Sequence, residues 1–233
     1  MLEPPQKIVF SLGVVILAAG SSTRMGRPKL LLPWAGTSIL GHLLEQWREL
    51  RATQIAVVCA PRIEGQTPRQ SSQAARPGRI APTLNNSDVL DELTRLDFPA
   101  GNQIQNPNPD RGMFSSIQCA AAWDRWNGSL THWALVLGDQ PHLRQSTLQS
   151  ALDLAASRPE EVVQPAQAGH RRHPVILPKS AFLRLAKSTA SNLSEFLQNC
   201  HSTSFESDDP GLDLDIDRPE DYEKALALAR LSA

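Results

Sequence analysis

The stretch Ser11-Leu12-Gly13-Val14-Val15-Ile16-Leu17-Ala18-Ala19-Gly20-Ser21-Ser22-Thr23-Arg24-Met25-Gly26-Arg27-Pro28-Lys29 runs from continuous apolar sequence into small residues, hydroxyls and cations. A segment apolar on both faces is what a strand buried between two layers requires, so Ser11–Leu17 reads as a buried parallel strand. A secretory leader is the competing reading, because Lys7 precedes the apolar run Ile8 to Ala19 and Gly20-Ser21-Ser22 follow it. Glu3 offsets Lys7, and the run falls short of the roughly 20 residues that span a bilayer. Cleavage after Ala19 would also cut the loop that carries the chemistry.

Outward from that strand, apolar runs alternate with helical spacing. Ile39–Leu50 predicts an amphipathic helix and Gln54–Cys59 a second strand. Val89–Leu96 predicts a short helix, Gln103–Gln105 a short strand, Met113–Trp126 a helix and His132–Leu137 a strand. Leu143–Ser157 predicts a further helix, and Val162–Gln164 and Val175–Leu177 strands around an arginine-rich turn. The helices Lys179–Ala186, Asn192–Leu197 and Pro219–Leu231 complete the pattern. This rhythm predicts an α/β chain of βαβ units with a mostly parallel sheet covered on both faces. We expect one domain over 1–233. Within it, 61–82 holds four prolines, four arginines and one glutamate, which reads as a surface insertion.

In such sheets ligands bind beyond the carboxyl ends of the strands, and the informative residues fall there. Ala18, Ala19 and Gly20 allow close approach of a ligand to the backbone, and Gly26 permits a bend. Ser21, Ser22 and Thr23 add hydroxyls. Arg24 and Lys29 bring the positive charge that a triphosphate needs. The pattern lacks the Gly-Lys-Ser/Thr of a P-loop and contains no G-x-G-x-x-G; the bland alternative is a small βα turn with two solvated cations. His132–Leu137 ends in Gly138-Asp139-Gln140-Pro141. Asp139 there is costly to desolvate unless a cation balances it, and a Mg²⁺ bridging substrate phosphates would do so. Capping a helix near Leu143 is the other role open to it. From Glu206 to Glu223 there are nine acids and one arginine. Asp213, Asp215 and Asp217 alternate with Leu212, Leu214 and Ile216, which on a strand would align three carboxylates on one face.

Taken together, Leu-Ala-Ala-Gly-x-Ser-x-Arg-Met-Gly-x-x-Lys-Leu-Leu-Leu-Pro over Leu17–Pro33 resembles the signature of the molybdenum cofactor nucleotidyltransferases, the MobA-like group. Its Ala-Ala-Gly form is most like the cytidylyltransferases of that group. The resemblance implies a three-layer Rossmann-like nucleotidyltransferase fold. It implies that Leu17, Ala18, Ala19, Gly20, Ser21 and Ser22 hold the nucleotide, with Arg24 and Lys29 on the triphosphate. Gly-Asp-x-Pro and Asp215-Ile216-Asp217-Arg218-Pro219-Glu220-Asp221 are similar to the group's metal-binding elements, making Asp139, Asp215 and Asp217 the metal ligands; Arg218 replaces the usual Thr. Asn106-Pro107-Asn108-Pro109-Asp110-Arg111-Gly112-Met113-Phe114-Ser115-Ser116 resembles the element in which Asn106 and Gly112 line the nucleotide. Gly169-His170-Arg171-Arg172-His173-Pro174 resembles the acceptor turn, with Arg172 where glycine is expected. Arg171, Arg172 and His173 are the candidate acceptor contacts. A later Gly-Asp-x-Gly-Ala-Arg segment has no counterpart.

The activity implied is transfer of CMP from CTP, ahead of GTP, to the terminal phosphate of a molybdopterin-type acceptor, with Mg²⁺ as cofactor, Arg24, Lys29 and Asp139 as catalytic residues, and pyrophosphate released. A sugar phosphate or other phosphorylated acceptor is one alternative. A non-catalytic nucleotide- or cofactor-binding protein, handing cofactor to a molybdoenzyme partner, is another. A net charge of −1 argues against nucleic-acid and membrane-surface binding. Cys59, Cys119 and Cys200 fit neither a disulfide framework nor a zinc spacing, which points to a reducing, cytoplasmic setting.

Overall fold

The computed structural model describes residues 9–20, 25, 28–61 and 87–231. Ser21, Ser22, Arg24, Gly26 and positions 62–82 of the expected insertion lie outside them. Strand β1 (Leu12–Leu17) is followed by a hairpin of β2 (Pro33–Trp34) and β3 (Thr37–Ser38), then α1 (Ile39–Glu49), β4 (Gln54–Cys59), α2 (Ser87–Arg95) and β5 (Gln103–Gln105). Next come α3 (Met113–Ala122), β6 (His132–Leu137), α4 (Gln145–Ser157), β7 (Val162–Gln167), β8 (His170–Arg171) and β9 (Val175–Pro178). The chain continues through α5 (Lys179–Leu185), α6 (Leu193–Gln198), β10 (Ser202–Glu206) and α7 (Pro219–Leu231).

One sheet runs in the order β10-β7-β9-β6-β1-β4-β5, with β8 paired to β7. β6, β1, β4 and β5 are mutually parallel, while β9 lies antiparallel to both β6 and β7. Alternate residues of the central strands point to opposite faces. Val14, Ile16, Val57 and Val136 join α1, α2, α4 and α7 in one core. Val15, Val58, Trp133 and Leu135 join α3, α5 and α6 in the other. Both faces of β1 are therefore dry, which accounts for its uninterrupted apolar sequence and gives the three-layer α/β arrangement.

Three local expectations are corrected and one strand is added. α3 stops at Ala122 because Trp123 turns extended (φ −72°, ψ 130°). α4 begins at Gln145 with Arg144 as its N-cap, so Asp139 does not cap that helix. β10, at the sheet edge, is a further strand; its polar sequence Ser-Thr-Ser-Phe-Glu hid it. Asp213, Asp215 and Asp217 do not share a strand face, because Pro210–Asp213 winds as a 3₁₀ turn on which Asp209 Oδ1 accepts from Gly211 N at 2.9 Å.

Candidate active site

From β1 the chain moves to β4 and β5 on one side and returns to β6 on the other. The strand order reverses at β1 and β6, and beyond their carboxyl ends a crevice must open. A cleft of about 500 Å³ lies there, between Leu17, Ala18, Ala19, Gly20 and Lys29 on one wall and Gly112, Met113 and Ser116 on another, with Gly138 and Asp139 beside them. That volume is in the range of small-molecule sites, roughly 300–1,000 Å³. Two glycines shape it. A Cβ on Gly138 would sit 2.8 Å from Leu30 Cδ2 and 2.9 Å from the Leu17 carbonyl oxygen, so glycine lets the two strand ends close. A Cβ on Gly20 would meet nothing within 4 Å. Packing against the described residues therefore does not require glycine at 20.

Lys29 joins the two acidic elements. Its Nζ donates to Asp139 Oδ2 at 2.6 Å and to Asp217 Oδ1 at 3.2 Å. Burial pulls the Lys29 pKa down, but Asp139 and then Asp217 outweigh it and hold the ammonium above its ordinary range. Asp215 lies close enough to feel Asp139, Asp217 and Lys29, and its Oδ1 accepts from Gln140 Nε2 at 2.9 Å. Burial, then the charge of Asp139, pushes the Asp215 carboxyl up, with Asp217 adding and Gln140 and Lys29 opposing. The acidic loop is tied to the β6 end by Ile216 N donating to Asp139 O at 3.1 Å, and by Asp209 Oδ2 accepting from Arg144 N at 2.9 Å. Asp139 and Asp215, 76 positions apart in the chain, thus converge.

Asp139 Oδ1 is buried and has no hydrogen-bond partner among the described residues. An unpaired carboxylate oxygen beside a second acid suits a hard divalent cation. Among the described residues no group of three or more His, Cys, Asp or Glu side chains is arranged to hold a metal by itself. The protein offers one or two carboxylates, the number a Mg²⁺ shared with phosphates takes.

Other candidates separate. Gly112 lines the cleft, while Asn106 lies behind its wall, 1% exposed. Its Nδ2 donates to Ser115 Oγ and Ser116 Oγ at 2.8 and 2.9 Å, and its Oδ1 accepts from Asn108 N. Asn106 therefore fastens the loop carrying Gly112 to α3. Arg171, Arg172 and His173 do not line the cleft. Arg171 Nη1 donates to Ser202 Oγ, Arg172 Nε donates to Asp213 Oδ1 at 2.5 Å, and His173 Nδ1 lies 3.4 Å from the Leu135 carbonyl oxygen. Burial lowers the His173 pKa, opposed by the Leu135 carbonyl and by Asp139. The glycine expected at 172 is not needed: Ala168 and Gly169 carry the positive φ angles (50° and 77°) of the β7–β8 turn. Met113 and Ser116, quoted with Gly112 in the same sequence element, also line the cleft from one face of α3 at i, i+3 spacing.

The profile of the MobA-like NTP transferase domain matches residues 14–203, which contain the cleft, Lys29 and Asp139. The chain belongs to this family. Rv0371c of Mycobacterium tuberculosis H37Rv has the same fold as this MobA-like chain, with a TM-score of 0.64 at 22% identity, covering 94% of this chain and 98% of that one. A second Rv0371c structure, a complex with manganese, aligns at a TM-score of 0.59 and 21% identity over 93% and 98% of the two chains. Molybdopterin-guanine dinucleotide biosynthesis protein A of Archaeoglobus fulgidus aligns at 0.63 and 14% identity over 94% and 99%. Among curated relatives, the bifunctional protein GlmU of Azorhizobium caulinodans is 53% identical over 53 residues, 22% of this chain and 12% of that protein. The expected Rossmann-like architecture is the one found. No described helix is long and apolar enough to cross a membrane, and Cys59, Cys119 and Cys200 are free thiols, with Cys59 pushed up to about 12 by burial.

Proposed function

We propose that this MobA-like protein transfers CMP from CTP to the terminal phosphate of a molybdopterin-type acceptor and releases pyrophosphate. The observation that carries the reading is the Lys29 ammonium bridging Asp139 and Asp217 at the mouth of the cleft. The Ala18-Ala19-Gly20 form of the loop supports CTP through its resemblance to the cytidylyltransferases of the family. In this reading the backbone from Leu17 to Gly20 and the Gly112 loop hold base and ribose, with Ser21 and Ser22 continuing the loop, and Arg24 joins Lys29 on the triphosphate. A phosphate nucleophile is ionised at neutral pH, so the chain need supply no general base; its task is alignment and charge neutralisation. Lys29, held protonated by its two acids, turns part of its charge toward the α-phosphoryl group and the departing pyrophosphate. Mg²⁺ bound at Asp139 and Asp215, with Asp217 beside them, would supply further neutralisation and polarise the phosphorus under attack. Arg171 and Arg172 are the acceptor-side cations of the proposal; each would exchange its present partner, Ser202 or Asp213, for an acceptor phosphate. His173, drawn toward neutrality, would contribute shape there more than charge.

A melting screen with CTP, GTP, ATP and UTP, each with and without Mg²⁺, tests the donor. A ligand at 100 times its Kd adds about 2.7 kcal/mol, or roughly 5–10 °C for a chain of this size. CTP with Mg²⁺ is expected to give the largest shift. A larger shift with GTP makes the protein a guanylyltransferase, and no shift with any nucleotide overturns the reading. Pyrophosphate release with a molybdopterin acceptor, set against sugar phosphates, tests the acceptor and separates an enzyme from a carrier.

Gly20→Val provides an independent check on the cleft. Among the described residues a Cβ there meets nothing within 4 Å, so stability should change by less than about 0.5 kcal/mol. CTP affinity is expected to fall at least about 10-fold, read by titration calorimetry. An unchanged affinity would move the nucleotide away from the β1 end.

A further inference from the structure

We propose that Gln140 is the positioning residue that holds Asp215 in place to share a cation with Asp139; this rests on the metal-site reading above. Asp215 lies near two other carboxylates, Asp139 and Asp217, whose like charge repels it. Lys29 donates its hydrogen bonds to Asp139 and Asp217 and reaches Asp215 through its charge. The side-chain hydrogen bond found on Asp215 comes from Gln140 Nε2, at 2.9 Å. An amide suits this task. It occupies Oδ1, and it brings no positive charge to compete with the incoming cation. Carboxylates that ligate metals depend on such neighbours, and losing one typically costs about 10–100-fold in metal affinity.

Packing, not a second hydrogen bond, confines the amide: Gln140 Oε1 is buried with no hydrogen-bond partner among the described residues. Gln140 is 4% exposed. It borders a gap of about 10 Å³ whose lining includes Leu43, Trp47, Leu143, His173 and Pro174. That is room for about one water, so the side chain has little space in which to swing away from Asp215. Pro141 follows directly and restricts the backbone at 140.

The test is Mn²⁺ binding to the CTP-loaded full-length protein, followed by the electron paramagnetic resonance of free Mn²⁺, in Gln140→Met and Gln140→Leu. Both variants lack the donor and differ in shape. Each is expected to bind Mn²⁺ about 10-fold more weakly, with metal-free CTP affinity within two-fold of wild type and turnover restored at saturating metal. In an Asp215→Asn background, Gln140→Met should add no further loss, because its effect passes through Asp215. A loss in only one variant, a loss that adds to Asp215→Asn, or an affinity within two-fold of wild type overturns the role of Gln140. A wild-type protein that binds no Mn²⁺ with CTP overturns the metal site itself, a result distinguishable from these.

Discussion

Asp139→Asn is expected to lower nucleotidyl transfer by about 10³-fold or more while the free protein melts within a few degrees of wild type. The substitution keeps size and shape and removes one charge from a group of three acids facing one ammonium. Lys29 retains Asp217, 3.2 Å away, and Asp215 loses the neighbour whose charge most raises its pKa. Folding should therefore suffer little. Catalysis should suffer greatly, because the buried Oδ1 that lacks a partner in the free protein would no longer present a negative oxygen to a cation. Removing one preorganised electrostatic contact to a charged transition state costs about 10²–10³ in rate, and loss of the cation adds to that. Pyrophosphate release measures the rate. Comparing melting shifts for CTP with and without Mg²⁺ shows whether the metal increment has gone. A variant that keeps more than a tenth of the wild-type rate, with its metal-dependent shift intact, would remove Asp139 from the chemistry.

The second large effect concerns the core. Trp133 on β6 is 2% exposed and stacks on Phe182 of α5, with ring centroids 4.5 Å apart and planes inclined by 5°. Trp126 meets both rings edge-on, at 5.9 and 6.0 Å. Gly13 exists to admit this ring, since a Cβ there would lie 2.8 Å from Trp133 Nε1. Trp133→Ala removes the centre of the cluster and should destabilise by about 3–5 kcal/mol, a fall in Tm of roughly 6–20 °C. Trp133→Phe should cost much less, because it retains a ring and deletes a buried N–H that has no partner among the described residues. Thermal and urea unfolding check both. An alanine variant within about 1 kcal/mol of wild type would mean that this helical layer is packed loosely. The cluster belongs to the core opposite α1 and α4, which also holds α3.

Much of the fold and of the cleft is legible in the sequence. Period-free apolar runs marked β1, β4 and β6, because a strand covered on both faces has no polar side to show. Small residues after β1 and an acid after β6 marked the two lips of the cleft, since ligands in parallel sheets collect at those ends. β10 was not legible, because an edge strand in partial contact with water can be polar and still pair through its backbone. Neither was the loop from Asp209 to Asp217. Its alternation suggested one face, yet the three acids turn to three different partners: Arg172, Gln140 and Lys29.

The one-dimensional order of residues determined the family, the central strands and the identity of the principal charged groups, because burial and backbone geometry leave local marks in composition. Which charges meet was decided by tertiary structure. Lys29 pairs with acids 110 and 188 positions away, Gln140 reaches Asp215, and Asn106 turns from the cleft to brace α3. These are contacts across the sheet's switch point, set by strand order and loop packing, and Coulomb and hydrogen-bond energies depend on distance in space, which separation along the chain does not reveal.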